Sequence, residues 1–129
     1  MVDGKSGDIE NHMQELNNAK EVGDRGREGS TSCNLGFAYY NRGDLQHALE
    51  YGTQALSIAK ERGDKALDGK VYCLLGSVYS GLGNFAQAIE YHTKLFSIAK
   101  ELGNRTIEGK ECCVIGRAYE GLQIGRAHV

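Results

Sequence analysis

The sequence contains no proline, no apolar run long enough to cross a membrane, and almost no imbalance of charge. Without proline nothing breaks a helix from within, and eighteen glycines are left to punctuate the chain. No stretch approaches the roughly 18 apolar residues of a membrane span. The first residues, MVDGKSGDIE, lack the apolar core of a secretory signal. Fifteen basic against seventeen acidic residues leave a formal net charge of −2, spread along the chain. That balance argues against nucleic acid or an anionic membrane surface as partner. Together these absences point to a cytoplasmic protein. A length of 129 residues makes one modest domain or a short run of repeats.

The four cysteines also lack something: C-x-x-C spacing and the paired histidines of a metal site. Cys33, Cys73 and Cys113 recur instead at intervals of forty residues, with Cys112 beside the last. Equivalent points in stacked helix pairs lie roughly 10 Å apart or more, given the packing distance of helices. A disulfide spans about 7 Å between Cα atoms at most. The thiols therefore read as reduced packing residues, and no metal or cofactor is expected.

What is present is a repeat. The stretch CNLGFAYYNRGD (Cys33 to Asp44) returns forty residues later as CLLGSVYSGLGN (Cys73 to Asn84), then as CVIGRAYEGL from Cys113. Each copy sets an aliphatic residue before a glycine and a tyrosine three residues after it: Leu35-Gly36-Tyr39, Leu75-Gly76-Tyr79 and Ile115-Gly116-Tyr119. A fixed period of this size is the mark of a repeat architecture. NAKEVGDRGREG (Asn18 to Gly29) likewise aligns with IAKERGDKALDG and IAKELGNRTIEG.

Five glycine–Asp/Asn pairs cut the chain into helices: Gly23-Asp24, Gly43-Asp44, Gly63-Asp64, Gly83-Asn84 and Gly103-Asn104. The glycine suits the left-handed residue that ends a helix, and the acid or amide caps the next. Ile9, Met13, Leu16 and Ala19 predict a helix from about residue 8 to 22. Leu67, Val71, Leu74, Leu75, Val78, Tyr79 and Leu82 form one helical stripe. Phe85, Ala88, Ile89, His92, Leu95, Phe96, Ala99 and Leu102 form the next. Gly36, Gly76 and Gly116 sit inside helices, where glycine costs about 1 kcal/mol relative to alanine. Close approach of a partner helix, through Ala48 and Ala88, would offset that cost, with Tyr39, Tyr79 and Tyr119 filling the gap one turn on.

The chain divides accordingly. Residues 1–7 are a disordered start, and 8–28 are a partial unit comprising a second helix and a junction. Residues 29–68 and 69–108 are two full units, and 109–122 are the first helix of a truncated one. Residues 123–129, Gln-Ile-Gly-Arg-Ala-His-Val, do not continue the pattern. The string is what a common sequencing adapter encodes, so an adapter-derived tail is expected, against the alternative of a divergent native end. Arg126 and His128 are accordingly left out of any site.

Leu-Gly-x-x-Tyr followed by Ala48 or Ala88 resembles the tetratricopeptide repeat, over residues 8–122. Gly52 and His92 stand where that family has an aromatic residue, Lys60 and Lys100 where it has a closing proline. The period is 40 against the usual 34. Forty-residue units with AKE-x-G-D/N junctions are similar to the Pins/LGN class of G-protein-signalling modulators and to tetratricopeptide repeat protein 28-like arrays. The resemblance implies an all-α fold, a right-handed α-solenoid of antiparallel helix pairs, of which this chain spans about two and a half units. It also implies a concave groove lined by the first helix of each unit, binding a protein or peptide partner. By position the groove residues are Ser30, Cys33, Phe37 and Tyr40, then Lys70, Cys73, Ser77 and Ser80, then Lys110, Cys113, Arg117 and Glu120. Of these Phe37, Tyr40, Lys70, Ser77, Ser80, Lys110 and Arg117 are the candidate binding residues. Cysteine occupies the asparagine position of the carboxylate-clamp subgroup, which argues against binding of chaperone tails. Lys70, Lys110 and Arg117 make a basic stripe suited to an acidic peptide, or simply a solvated face.

No catalytic constellation is found. His47 and His92 lie on second helices without a carboxylate or serine in triad-like order, and His92 reads as a packed imidazole. Gly81-x-Gly83 follows no strand, so it is a turn and not a phosphate cradle. The expected function is an interaction scaffold, within G-protein signalling or a cell-polarity or cytoskeletal regulator, stacking with further units in a longer chain. The alternatives are a regulatory array whose catalytic domain is missing, or a fragment with no independent function.

Overall fold

All five glycine turns adopt the left-handed conformation, with φ of 72°, 83°, 61°, 78° and 70° at Gly23, Gly43, Gly63, Gly83 and Gly103. The following side chain then caps the next helix: Asp24, Asp44, Asp64, Asn84 and Asn104 each accept a hydrogen bond from the backbone N–H three residues on. These turns separate six helices in a computed structural model that describes residues 4–127, with side chains over 7–124. They are α1 (Gly4–Val22), α2 (Arg25–Asn41), α3 (Leu45–Arg62), α4 (Lys65–Gly81), α5 (Phe85–Glu101) and α6 (Arg105–Ala127). Each packs against the next, and α2 also lies along α4. The architecture is an all-α helical repeat solenoid, with no strand among the described residues. No described helix is long and apolar enough to cross a membrane.

Both ends are more helical than the sequence predicts. α1 begins at Gly4 and not near residue 8, because no proline or cap interrupts it. α6 runs past Leu122 because Gln123-Ile124 stands where the earlier copies have a Gly-Asp/Asn turn. Residues 1–3 of the expected disordered start, and His128 and Val129 of the expected tail, lie outside the described residues, as does the side chain of Arg126.

The core is continuous from pair to pair. Leu35, Val71, Leu74, Leu75 and Val78 are fully buried, together with Cys33. Leu82 and Leu102 fall just past their helices, at the C-caps, and are exposed. Two tyrosine stacks recur in register: Tyr39 on Tyr51 at 5.6 Å between ring centroids, and Tyr79 on Tyr91 at 5.7 Å. Two ion pairs also recur, joining the start of each first helix to the end of its partner. They are Arg25–Glu61 at 2.6 Å and Lys65–Glu101 at 2.8 Å. Both are exposed and so act on register more than on stability.

Gly36 and Gly76 are contact points, as their spacing predicts. A Cβ on Gly36 would run into Leu74 and approach the Ala48 carbonyl, and one on Gly76 would lie 2.6 Å from His92 Nε2. At Gly76 the three nearest atoms all belong to the His92 ring. Gly116 differs: nothing lies within 4 Å of its Cβ position, and Tyr119 is 51% exposed. No described helix packs on that side of α6, so the third copy of the motif neither makes a contact nor fills a gap.

The two environments lead to opposite mutational outcomes. Gly76→Ala should lower stability by about 1–3 kcal/mol through overpacking, whereas Gly116→Ala should raise it by up to about 1 kcal/mol through helix propensity. Urea titration followed by circular dichroism checks both, and a loss at Gly116 equal to that at Gly76 would contradict the open face.

Candidate functional site

The helix pairs repeat, but their junctions do not. α2 lies along α4, whereas the equivalent first helices α4 and α6 make no comparable contact among the described residues. Among the described helices α6 rests chiefly on α5. The opening between α4 and α6 holds three adjoining cavities of about 310, 350 and 240 Å³. The first two share Cys73, Lys110 and Glu111, and the last two share Ser80 and Val114. They form one groove with α4 and α6 as walls, and α2 contributes Phe37 and Tyr40 at its edge.

The residues that hold α6 off α4 are visible by comparing equivalent positions. In the first junction Gly52 of α3 leaves room for Leu74 and Leu75 of α4, and its Cβ would lie 2.9 Å from Leu75 Cδ2. Forty residues on, His92 replaces Gly52 and Glu111 replaces Val71, while Val114 and Ile115 replace the two leucines. The imidazole takes the space, and Val114, smaller than Leu74, lines the same cavity as His92. His92 Nδ1 and Glu111 Oε2 are 2.6 Å apart, with the two side chains 4% and 3% exposed. His92 is a packed imidazole, and its carboxylate partner Glu111 forms a two-residue pair and not a triad. Glu111 lies in the next unit and is brought to His92 only by stacking. His47, the other second-helix histidine, has Asp44 at 2.7 Å. There the carboxylate is an N-cap, held below its usual range first by the His47 backbone N–H.

All seven candidate residues border this groove. Phe37 and Lys70 line the first cavity, Tyr40 and Ser77 the second, and Arg117 the third, with Lys110 and Ser80 each spanning two. Phe37, Tyr40, Ser77 and Ser80 are half-buried, while Lys70, Lys110 and Arg117 are exposed and make no ion pair among the described residues. The remaining positions diverge. Cys33 is buried in the core and cannot face a partner, because α4 covers it in the closed first junction. Burial pushes its thiol up to about 12, against the weaker opposite pull of the Lys70 ammonium. Cys73 is half-buried and lines the groove, its thiol also raised first by burial. Ser30, Cys113 and Glu120 are exposed but line none of the three cavities.

The groove is built for contact. A Cβ on Gly76 would meet His92 Nε2, so the second ring nitrogen lies against α4 at that glycine. The first nitrogen is occupied by Glu111. Among the described residues, no group of three or more His, Cys, Asp or Glu side chains is placed to hold a metal ion. What remains is an apolar trough with hydroxyls on one wall and three cations along its length.

A family model described as the tetratricopeptide repeat matches residues 27–101, more than half of the chain. No curated protein matches the chain.

The buried pair and the thiols each give a measurable consequence. Glu111→Ala leaves a buried His92 nitrogen without its partner and should cost about 1–3 kcal/mol. The double change His92→Gly with Glu111→Val, which copies the first junction, should fall within about 1 kcal/mol of the parent or exceed it. Denaturant titration of the three proteins tests that ordering. In native protein near neutral pH, iodoacetamide should label the exposed Cys112 and Cys113 quickly and Cys33 only on unfolding, as read by mass spectrometry of peptides.

Proposed function

The chain belongs to the tetratricopeptide-repeat family, and from that premise we propose that its α4–α6 groove holds a peptide segment of acidic character. Repeats of this family mediate protein–protein interaction. The observation that carries the finer reading is the cationic stripe: Lys70, Lys110 and Arg117 follow one another along the groove with no carboxylate paired to any of them among the described residues. Of the carboxylates nearby, Glu101 is engaged with Lys65 and Glu111 with His92. An incoming Asp or Glu would therefore meet cations without first displacing an internal partner. Binding is aided by rigidity, since helices fixed by caps and stacked tyrosines lose little further freedom when a peptide is seated.

We assign the scaffold to cytoplasmic signalling, in the manner of G-protein-signalling modulators or regulators of polarity and the cytoskeleton. The forty-residue unit length and the AKE-x-G-D/N junctions support that assignment, and the four free cysteines suit a reducing compartment.

The test is a fluorescence-polarisation titration with a short labelled peptide of Glu and Ser. Lys70→Glu combined with Lys110→Glu should weaken binding by about tenfold or more, and rising salt should weaken binding to the parent protein in the same direction. An unchanged affinity in a variant that retains its helical spectrum would overturn the stripe.

A further inference from the structure

The two unit junctions are made from equivalent residues, yet only one fills its own cleft. In the first, Leu67 closes over Gly29, where a Cβ would lie 2.8 Å from both Leu67 Cδ2 and Ile58 Cγ2. Arg62 folds its guanidinium over Gly26, 3.2 Å from the Cβ position there. In the second junction Ile107 stands at the place of Leu67 and is 36% exposed, against 4% for Leu67. Leu102 replaces Arg62, and Ala66 replaces Gly26. A Cβ on Gly69 would meet only Leu95 at 3.7 Å and Ile98 at 3.9 Å, both ordinary contacts. The outcome is the 310 Å³ cavity, walled by Phe37, Ala66, Leu95, Ile98, Leu102 and Ile107.

The rim of this socket is cationic. Lys65, Lys70 and Lys110 border it, and of these only Lys65 has an ion-pair partner among the described residues, Glu101 at 2.8 Å. Glu111, the one carboxylate at the rim, is bound to His92. An apolar hole beneath two free ammonium groups has a definite complement: one large apolar side chain with acidic neighbours. Water in such a hole finds few hydrogen-bonding partners, so displacing it with hydrocarbon is favourable.

We infer that the socket between α4, α5 and α6 takes one large aliphatic or aromatic side chain of an acidic peptide. That side chain fills the second junction from outside as Leu67 fills the first from within. The inference rests on the groove reading above and adds to it the residue that anchors the peptide and the place where it sits. Charge selects the segment, and the anchor fixes its register.

Two labelled peptides of Glu and Ser, differing only in a central Ala or Leu, separate the two readings. The Leu peptide should bind about tenfold tighter or more, the gain expected from burying one such side chain. Gly69→Leu and, at the exposed rim, Ala66→Phe should each remove that gain, so that the two peptides bind a given variant equally, with helical spectra checked for both variants. Equal affinity of the two peptides overturns the anchor while the cationic stripe stands. A Leu advantage that survives both filling variants places the anchor elsewhere and also overturns it. Failure of both peptides to bind removes the groove reading and the anchor together. Self-association of the chain, abolished by Gly69→Leu in sedimentation velocity, makes the occupant a second copy and overturns the peptide.

Discussion

A helix of about five turns with apolar residues on two sides has to be covered on both, and a single helix pair covers only one. In this chain α4 meets that requirement most fully. It is covered by α3, α5 and α2, and its Val71, Leu74, Leu75 and Val78 are lost to water altogether. The small residues follow from the same need. Gly36 and Gly76 bear the helix penalty of glycine because a side chain there would hold the second helix away. The left-handed turns and their Asp or Asn caps set the angle at which each helix returns, and the stacked tyrosines close the space beyond each glycine. Caps, glycines and tyrosines are thus parts of one solution, repeated at forty residues.

The groove exists because that solution is broken once. A glycine and a valine bring α3 and α4 together, and a histidine and a glutamate take their place between α5 and α6. A buried ionisable pair is weak evidence for stability, since desolvation offsets most of the attraction. Its geometric effect is larger. His92 occupies the space between Gly76 and α6, so α6 stays on α5 while its contact with α4 is given up. The lost contact area becomes the lining of the groove. Lys70 and Lys110 stand free along its edge.

Period and punctuation were legible from the chain alone. Five turns, their caps and the helices between them follow from local chemistry, in which a glycine and the next residue suffice. The seven candidate residues were placed by repeat position, and the same periodicity explains why they share a face. Non-local matters were not legible. Cys33 and Cys113 occupy equivalent positions, yet one is sealed by the next unit and the other is exposed among the described residues. Glu111 gave one signal that could have been used. It is a carboxylate at a position where Val71 and Thr31 are buried, and it departs from the pattern in step with His92. Two departures nineteen residues apart, in facing helices, mark a pair. Each taken singly looks like a surface charge or a tolerated polar residue.

The two outermost described helices answer the covering requirement differently, and this bears on which wall of the groove is held least. In α1 the positions of Ala48, Ala55 and Ile58 are taken by Asp8, Glu15 and Asn18, all exposed, so its outer side is compatible with water. In α6 the open side keeps Tyr119, 51% exposed. Stability in a stacked array is nearly a sum of unit and nearest-neighbour terms. α4 draws on three neighbours, whereas α6 draws on α5 and the buried His92–Glu111 contact. The groove therefore has one fixed wall and one whose position depends on a single interface. A segment lying between them adds the contact with α4 that α6 lacks, so occupancy and the docking of α6 reinforce each other.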